Sequence, residues 1–139
     1  MLTRTFFMVA VAGCLALGPN AGPAMAQDAV DAKALAKQRR DAARDAYQFL
    51  WDEFQPYELV KGDGENVYRW SLRWMQAERD LATTQAEHVA ALRAHFERMK
   101  KLEAEVHAYA RGTIPFQQMA ATKFFRAEAE TWLTEAMAR

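Results

Sequence analysis

Val67 to Leu81 reads VYRWSLRWMQAERDL, and the spacing within it decides the fold class. Val67, Trp70, Trp74, Ala77 and Leu81 recur at intervals of 3, 4, 3 and 4. That period draws one apolar stripe along an α-helix and leaves Arg69, Arg73, Gln76 and Asp80 on its other faces. Fifty residues later, Gln117 to Thr131 reads QQMAATKFFRAEAET. A shift of that length sets Gly112 on Gly62, Arg111 on Lys61, Lys123 on Arg73, Phe124 on Trp74, Phe125 on Met75, Ala127 on Ala77 and Glu128 on Glu78. The echo makes a helical hairpin the unit of construction, used twice.

The residues outward from this stretch carry the same period. Ala43, Tyr47, Leu50, Phe54 and Tyr57 form a seam on a first helix, while its earlier half, DAKALAKQRRDAARDA, is charged and solvated. Val89, Leu92, Phe96, Met99, Leu102, Val106 and Tyr109 form another on a third. Punctuation falls in two places. Gly62, Gly64 and Pro56 lie around one, and Gly112 and Pro115 around the other. Between the second and third helices, Thr84-Gln85-Ala86-Glu87 is a capping box, which predicts a tight break. A continuous helix through Thr83-Thr84 is the alternative. No stretch alternates with period two. The expectation is an all-α, up-down-up-down four-helix bundle with helices over about 31–60, 65–82, 85–111 and 115–136. Trp70, Trp74, Phe96 and Phe124 are expected to form its interior aromatic core.

Residues 1–26 are expected to be removed. A basic start at Arg4, an apolar run from Phe6 to Leu17 and a small-residue stretch ending Ala24-Met25-Ala26 have the layout of a secretory signal peptide. Its apolar run is too short for a bilayer, which takes roughly 20 residues. Cleavage after Ala26 leaves a single helical domain, 27–139, exported to the periplasm or beyond the cell. A lipobox reading of Val11-Ala12-Gly13-Cys14, with the protein anchored at Cys14, is the competing one. Cys14 is the only cysteine, so the 27–139 domain has no thiol for a disulfide, a metal or a nucleophile. The full chain balances 18 basic against 18 acidic residues. That balance does not predict nucleic acid or an anionic membrane as a partner.

Tyr109-Ala110-Arg111-Gly112-Thr113-Ile114-Pro115-Phe116-Gln117-Gln118-Met119-Ala120-Ala121, followed by Phe125 and Ala127, resembles the helix-tip hairpin of the outer-membrane efflux-channel family. The resemblance covers residues 104–133. Proteins of that family are several times longer and carry barrel strands, and they usually have an acidic residue where Gln117 stands. As a whole the chain resembles small, exported, all-helical bacterial proteins of unknown function, which implies an address and no activity.

Side chains able to carry chemistry are few. His88, His95 and His107 all fall on the third helix. His88 and His95 are seven apart, about 10.5 Å along an α-helix, too far to chelate one ion unaided. They and His107 are expected at the edges of the apolar seam. Glu78, Glu103 and Glu128 project near the seams, but a di-iron bundle needs Glu-x-x-His on two helices. Gln85, Leu92 and Ala104 stand three before the histidines. The carboxylates are therefore expected to pair with Arg69, Arg73, Lys123 or the histidines. No metal or cofactor is expected, and no catalytic motif is present.

The sequence points to a non-enzymatic structural or interaction module of the cell envelope. A bundle binding haem, metal or a small ligand through His88, His95 and methionines such as Met75, Met99, Met119 and Met137 is the alternative. On the fourth helix, Phe116, Ala120, Phe124, Phe125 and Trp132 spread over more than one core contact requires. That helix is expected either to lie centrally between the first and third, or to leave a Phe125–Trp132 edge for a second copy or an envelope protein.

Overall fold

The computed structural model describes residues 23–54, 63–109 and 116–139, with side chains at 31–54, 64–108 and 116–139. Cys14, Pro56, Tyr57, Gly62, Gly112 and Pro115, on which several expectations rest, lie outside the described residues. Four helices follow one another: α1 Pro23–Asp52, α2 Asp63–Leu81, α3 Gln85–Tyr109 and α4 Phe116–Met137. Among the described residues there is no strand. The chain is the expected all-α bundle of two hairpins, α1 on α2 and α3 on α4.

The end of α1 corrects the expected boundary near residue 60. The helix stops at Asp52, and Phe54 then leaves the helical path to sink into the core, only 8% exposed. A stop before residue 60 is what the sequence favours, because Pro56 has no amide to donate to a helix that continues through it.

The break between α2 and α3 falls at residues 82–84, where the capping box places it. Thr84 Oγ1 accepts the Glu87 amide at 3.2 Å, and the Glu87 carboxylate accepts the Thr84 amide at 3.0 Å and the Thr83 amide at 2.6 Å. Thr83 Oγ1 donates to the same oxygen at 3.0 Å. These bonds hold the Glu87 carboxyl below its ordinary pKa, the Thr83 amide first among them. Amides that the first turn of α3 leaves without helical partners are thus satisfied by one threonine and one glutamate.

The helices are not equivalent in the packing. α2 packs on α1 and α3 and also touches α4, while α1 and α4 do not pack along one another among the described residues. The α2–α3 contact is therefore the main seam between the two hairpins. A central place between the first and third helices is one of the two expectations for the fourth. α2 takes it instead, because it buries two stripes. Trp70, Trp74, Ala77 and Leu81 form one, and Tyr47 of α1 lies against Trp74 with ring centroids 5.6 Å apart. Val67, Ser71 and Met75 form the other, with exposures of 0, 0 and 2%. Together with Met99, Leu102 and Val106 of α3, each fully buried, they make the centre of the molecule. Truncating such a side chain to alanine costs about 2–5 kcal/mol.

Candidate functional site

Ser71, His95 and Arg98 bring the polar chemistry of the chain together inside the α2–α3 contact. Ser71 sits one turn after Val67 and one before Met75, so the stripe that buries those residues buries its hydroxyl too. His95 and Arg98, three apart on α3, face it. Arg98 Nε donates to Ser71 Oγ at 2.7 Å and Nη2 to the Ser71 carbonyl at 3.4 Å. Ser71 Oγ and His95 Nδ1 share a hydrogen bond of 2.8 Å. In either tautomer of the imidazole, Nε2 is left without a partner among the described residues.

The surroundings decide the charges. Burial, with the Arg98 cation adding in the same direction, pushes the His95 pKa down to about 3, so the ring is neutral. Burial lowers Arg98 as well, and the Glu78 carboxylate works against that shift. The guanidinium lies 4.0 Å from the Trp74 ring centroid and 5.5 Å from that of Tyr47, so aromatic faces replace part of its lost hydration. Burial raises Tyr47 to about 12. One oxygen of Glu78 is buried and accepts no hydrogen bond from the described residues. Ser71 and His95 are both 0% exposed, so the pair is sealed from any substrate and holds the two helices in register.

A second polar layer lies toward α4. Tyr68 donates its hydroxyl to Glu128 at 2.6 Å and stacks on Phe125 with centroids 4.1 Å apart. Burial first, then that bond, raises the Tyr68 pKa. His95 stacks on Trp132, centroids 6.0 Å apart and planes 20° from parallel. On the far side of Trp132 opens a cleft of about 380 Å³ between α2, α3 and α4, lined by Met75, Arg79, His88, Leu92, Trp132 and Glu135 among others.

The expected site residues separate accordingly. Phe125 and Trp132, expected as a possible interaction edge, are half-buried and packed against the core. Trp70, Trp74 and Phe96 are half-buried and also pack against it. Phe124 is corrected: it is 61% exposed, on the outside of α4, although its counterpart in the fifty-residue echo, Trp74, clasps Arg98. The helical phase that turns Phe125 onto Tyr68 and Ala129 into the core turns Phe124 outward.

His95 is corrected from seam edge to core, while His88 lines the cleft and His107 is exposed. The carboxylates find partners other than most of those expected. Glu128 takes Tyr68, and Glu103 takes Arg126 Nε at 2.8 Å with His107 Nε2 4.0 Å away. Arg73 lies over the Trp70 ring instead. Among the described residues no three histidine, cysteine or acidic side chains gather as a metal site. Met75 and Met99 are core, and Met137 is exposed.

The sequence reading missed Ser71 and Arg98. A second stripe drawn through Val67, Ser71 and Met75 is the signal that finds the serine. Arg98 has no local signal, because its place depends on the α1 rings above it. Compared with known proteins, the chain matches no family model, no curated protein and no solved structure.

Proposed function

We propose that the protein is exported and acts as a non-enzymatic interaction module of the cell envelope, working through its helix faces. The observation that carries this reading is on α4. Phe116 and Phe124 are 78 and 61% exposed, and the exposed Ala120 and Ala127 accompany them along the helix. At 100° per residue the two rings stand about 80° apart, on one side of the helix. Apolar rings grouped on one face are what a partner surface supplies. The signal-like layout of residues 1–26 supports export, and no helix among the described residues is long and apolar enough to cross a membrane.

A photo-crosslinking residue at position 124, expressed in the native host, tests the reading against the same residue at the exposed Asp45. A discrete adduct from 124 alone, in the envelope fraction, is expected. Monomer from both positions overturns the interaction reading, whether the partner is an envelope protein or a second copy. Mass spectrometry of the same material tests export, with Gln27 expected as the N-terminus. A lipid-modified Cys14 replaces the soluble reading with an anchored one, and an intact Met1 removes export.

A second reading, a bundle that binds a small ligand, is favoured by one observation. His88 and Met75 line the same cleft, with Trp132 beside them.

A further inference from the structure

The cleft where the C-terminal half of α2, the N-terminal half of α3 and the end of α4 meet has an apolar floor and a divided polar rim. Met75 and Leu92 on the floor are 2 and 4% exposed, and Trp132 completes it. The parallel His95 ring behind Trp132 fixes the plane of that indole. Gln85 Nε2 donates to the Ala136 carbonyl at 2.8 Å, tying the start of α3 to the end of α4 and setting the width of the opening.

The rim carries Arg79 from α2 and Glu135 from α4, and Arg139, just past the end of α4, adds a second cation beside Glu135. Arg79 and Glu135 have opposite charges and line one cleft, yet neither side chain forms an ion pair or hydrogen bond with the other or with any described residue. A cation and an anion held apart over an apolar floor are complementary to a molecule that carries both charges. A plain amine meets Arg79 and Arg139 unfavourably, and a plain carboxylate leaves Glu135 without a counter-charge. The cleft volume is within the range of about 300–1,000 Å³ typical of small-molecule sites, which commonly form between the helices of bundles.

We propose that this cleft binds a free amino acid with a large apolar side chain. Its carboxylate is held by Arg79, its ammonium by Glu135, and its side chain lies on Trp132 and Leu92. An aromatic ring suits that floor, because flat faces stack offset on an indole. The proposal rests on the small-ligand reading above and is independent of the α4 surface.

Calorimetric titration of the purified protein with four probes tests it: L-phenylalanine, N-acetyl-L-phenylalanine, L-phenylalaninamide and indole. Phenylalanine is expected to bind one to one, about fivefold tighter than either singly charged analogue, the upper end for exposed ion pairs. Arg79→Gln is expected to erase its advantage over phenylalaninamide, and Glu135→Gln its advantage over the N-acetyl form. Both residues are exposed, and helical circular dichroism confirms that the variants fold. If indole binds while phenylalanine gains nothing over its capped forms, the cleft is an apolar ligand site and the zwitterion assignment is wrong. A preference that survives both substitutions puts the site elsewhere. No binding by any probe at millimolar concentration removes the small-ligand reading as well.

Discussion

Ser71 and His95, twenty-four residues apart in sequence, meet at 2.8 Å in the interior of the bundle, with neither exposed to solvent. The serine hydroxyl also accepts from Arg98, so one small side chain partners one nitrogen of a neutral ring and a half-buried cation together. A buried group deprived of its partner costs about 1–3 kcal/mol, and more when it is charged.

Ser71→Ala removes that shared partner. It is expected to destabilise by about 2–4 kcal/mol in urea denaturation, well beyond the loss of one hydroxyl, because two groups are stranded. A double-mutant cycle with Arg98→Met is the sharper measurement. The pair is expected to lose less than the sum of the single changes, and strict additivity removes the idea of a coupled network.

His95 makes stability depend on pH. Its folded pKa, about 3, lies below the unfolded value near 6.5, so below pH 6.5 the unfolded chain takes up a proton that the folded one refuses. The contribution is complete above pH 6.5 and is lost as pH falls toward 3, by about 1.4 kcal/mol per unit. Between pH 6.5 and 4.5 a decline of about 2–3 kcal/mol is expected from this residue. His95→Phe should flatten that part of the profile, and an unchanged slope places the titration in other groups.

Trp74 and Phe124 occupy matching places in the fifty-residue echo but differ in their surroundings. Trp74→Ala uncovers Arg98 and is expected to cost about 3–5 kcal/mol. Phe124→Ala is expected to stay within about 0.5 kcal/mol of the parent, as for other surface changes. Thermal melts of the two variants check the contrast, and equal losses contradict the outward position of Phe124.

Thr84→Ala removes the side-chain cap of α3 and is expected to cost about 0.5–2 kcal/mol. Hydrogen exchange localises the effect, with faster exchange expected in the first turn of α3 and little change at Met99 or Leu102.

How far the sequence was legible follows from the range of the interactions involved. The α2–α3 break was readable because Thr84 and Glu87 are three residues apart and satisfy amides beside them. The α1 seam through Ala43 and Tyr47 was readable because periodicity is a property of one helix, whereas Phe54 is buried after the helix has ended. The buried site was not, since a helical wheel shows which residues share a face but not how many faces a helix buries. α2 buries two, and that drew Ser71 inside and made His95 core instead of edge. Phe124 failed for the converse reason: α4 has apolar residues on more of its surface than its two neighbours cover.

The order of packing has a kinetic consequence. The closest contacts join α1 to α2, α2 to α3 and α3 to α4, each helix to the next along the chain, and those that skip a helix, α2 with α4 and Arg98 of α3 with Tyr47 of α1, are lighter. Few distant segments must find one another before packing begins, and topologies of this kind fold in microseconds to milliseconds. The hairpins can close in the order in which they emerge, with α3 bringing His95 and Arg98 to Ser71 and Trp132 of α4 then stacking on His95. A chain delivered N-terminus first thus has Ser71, Trp74 and Tyr47 in place to receive Arg98 before α4 follows.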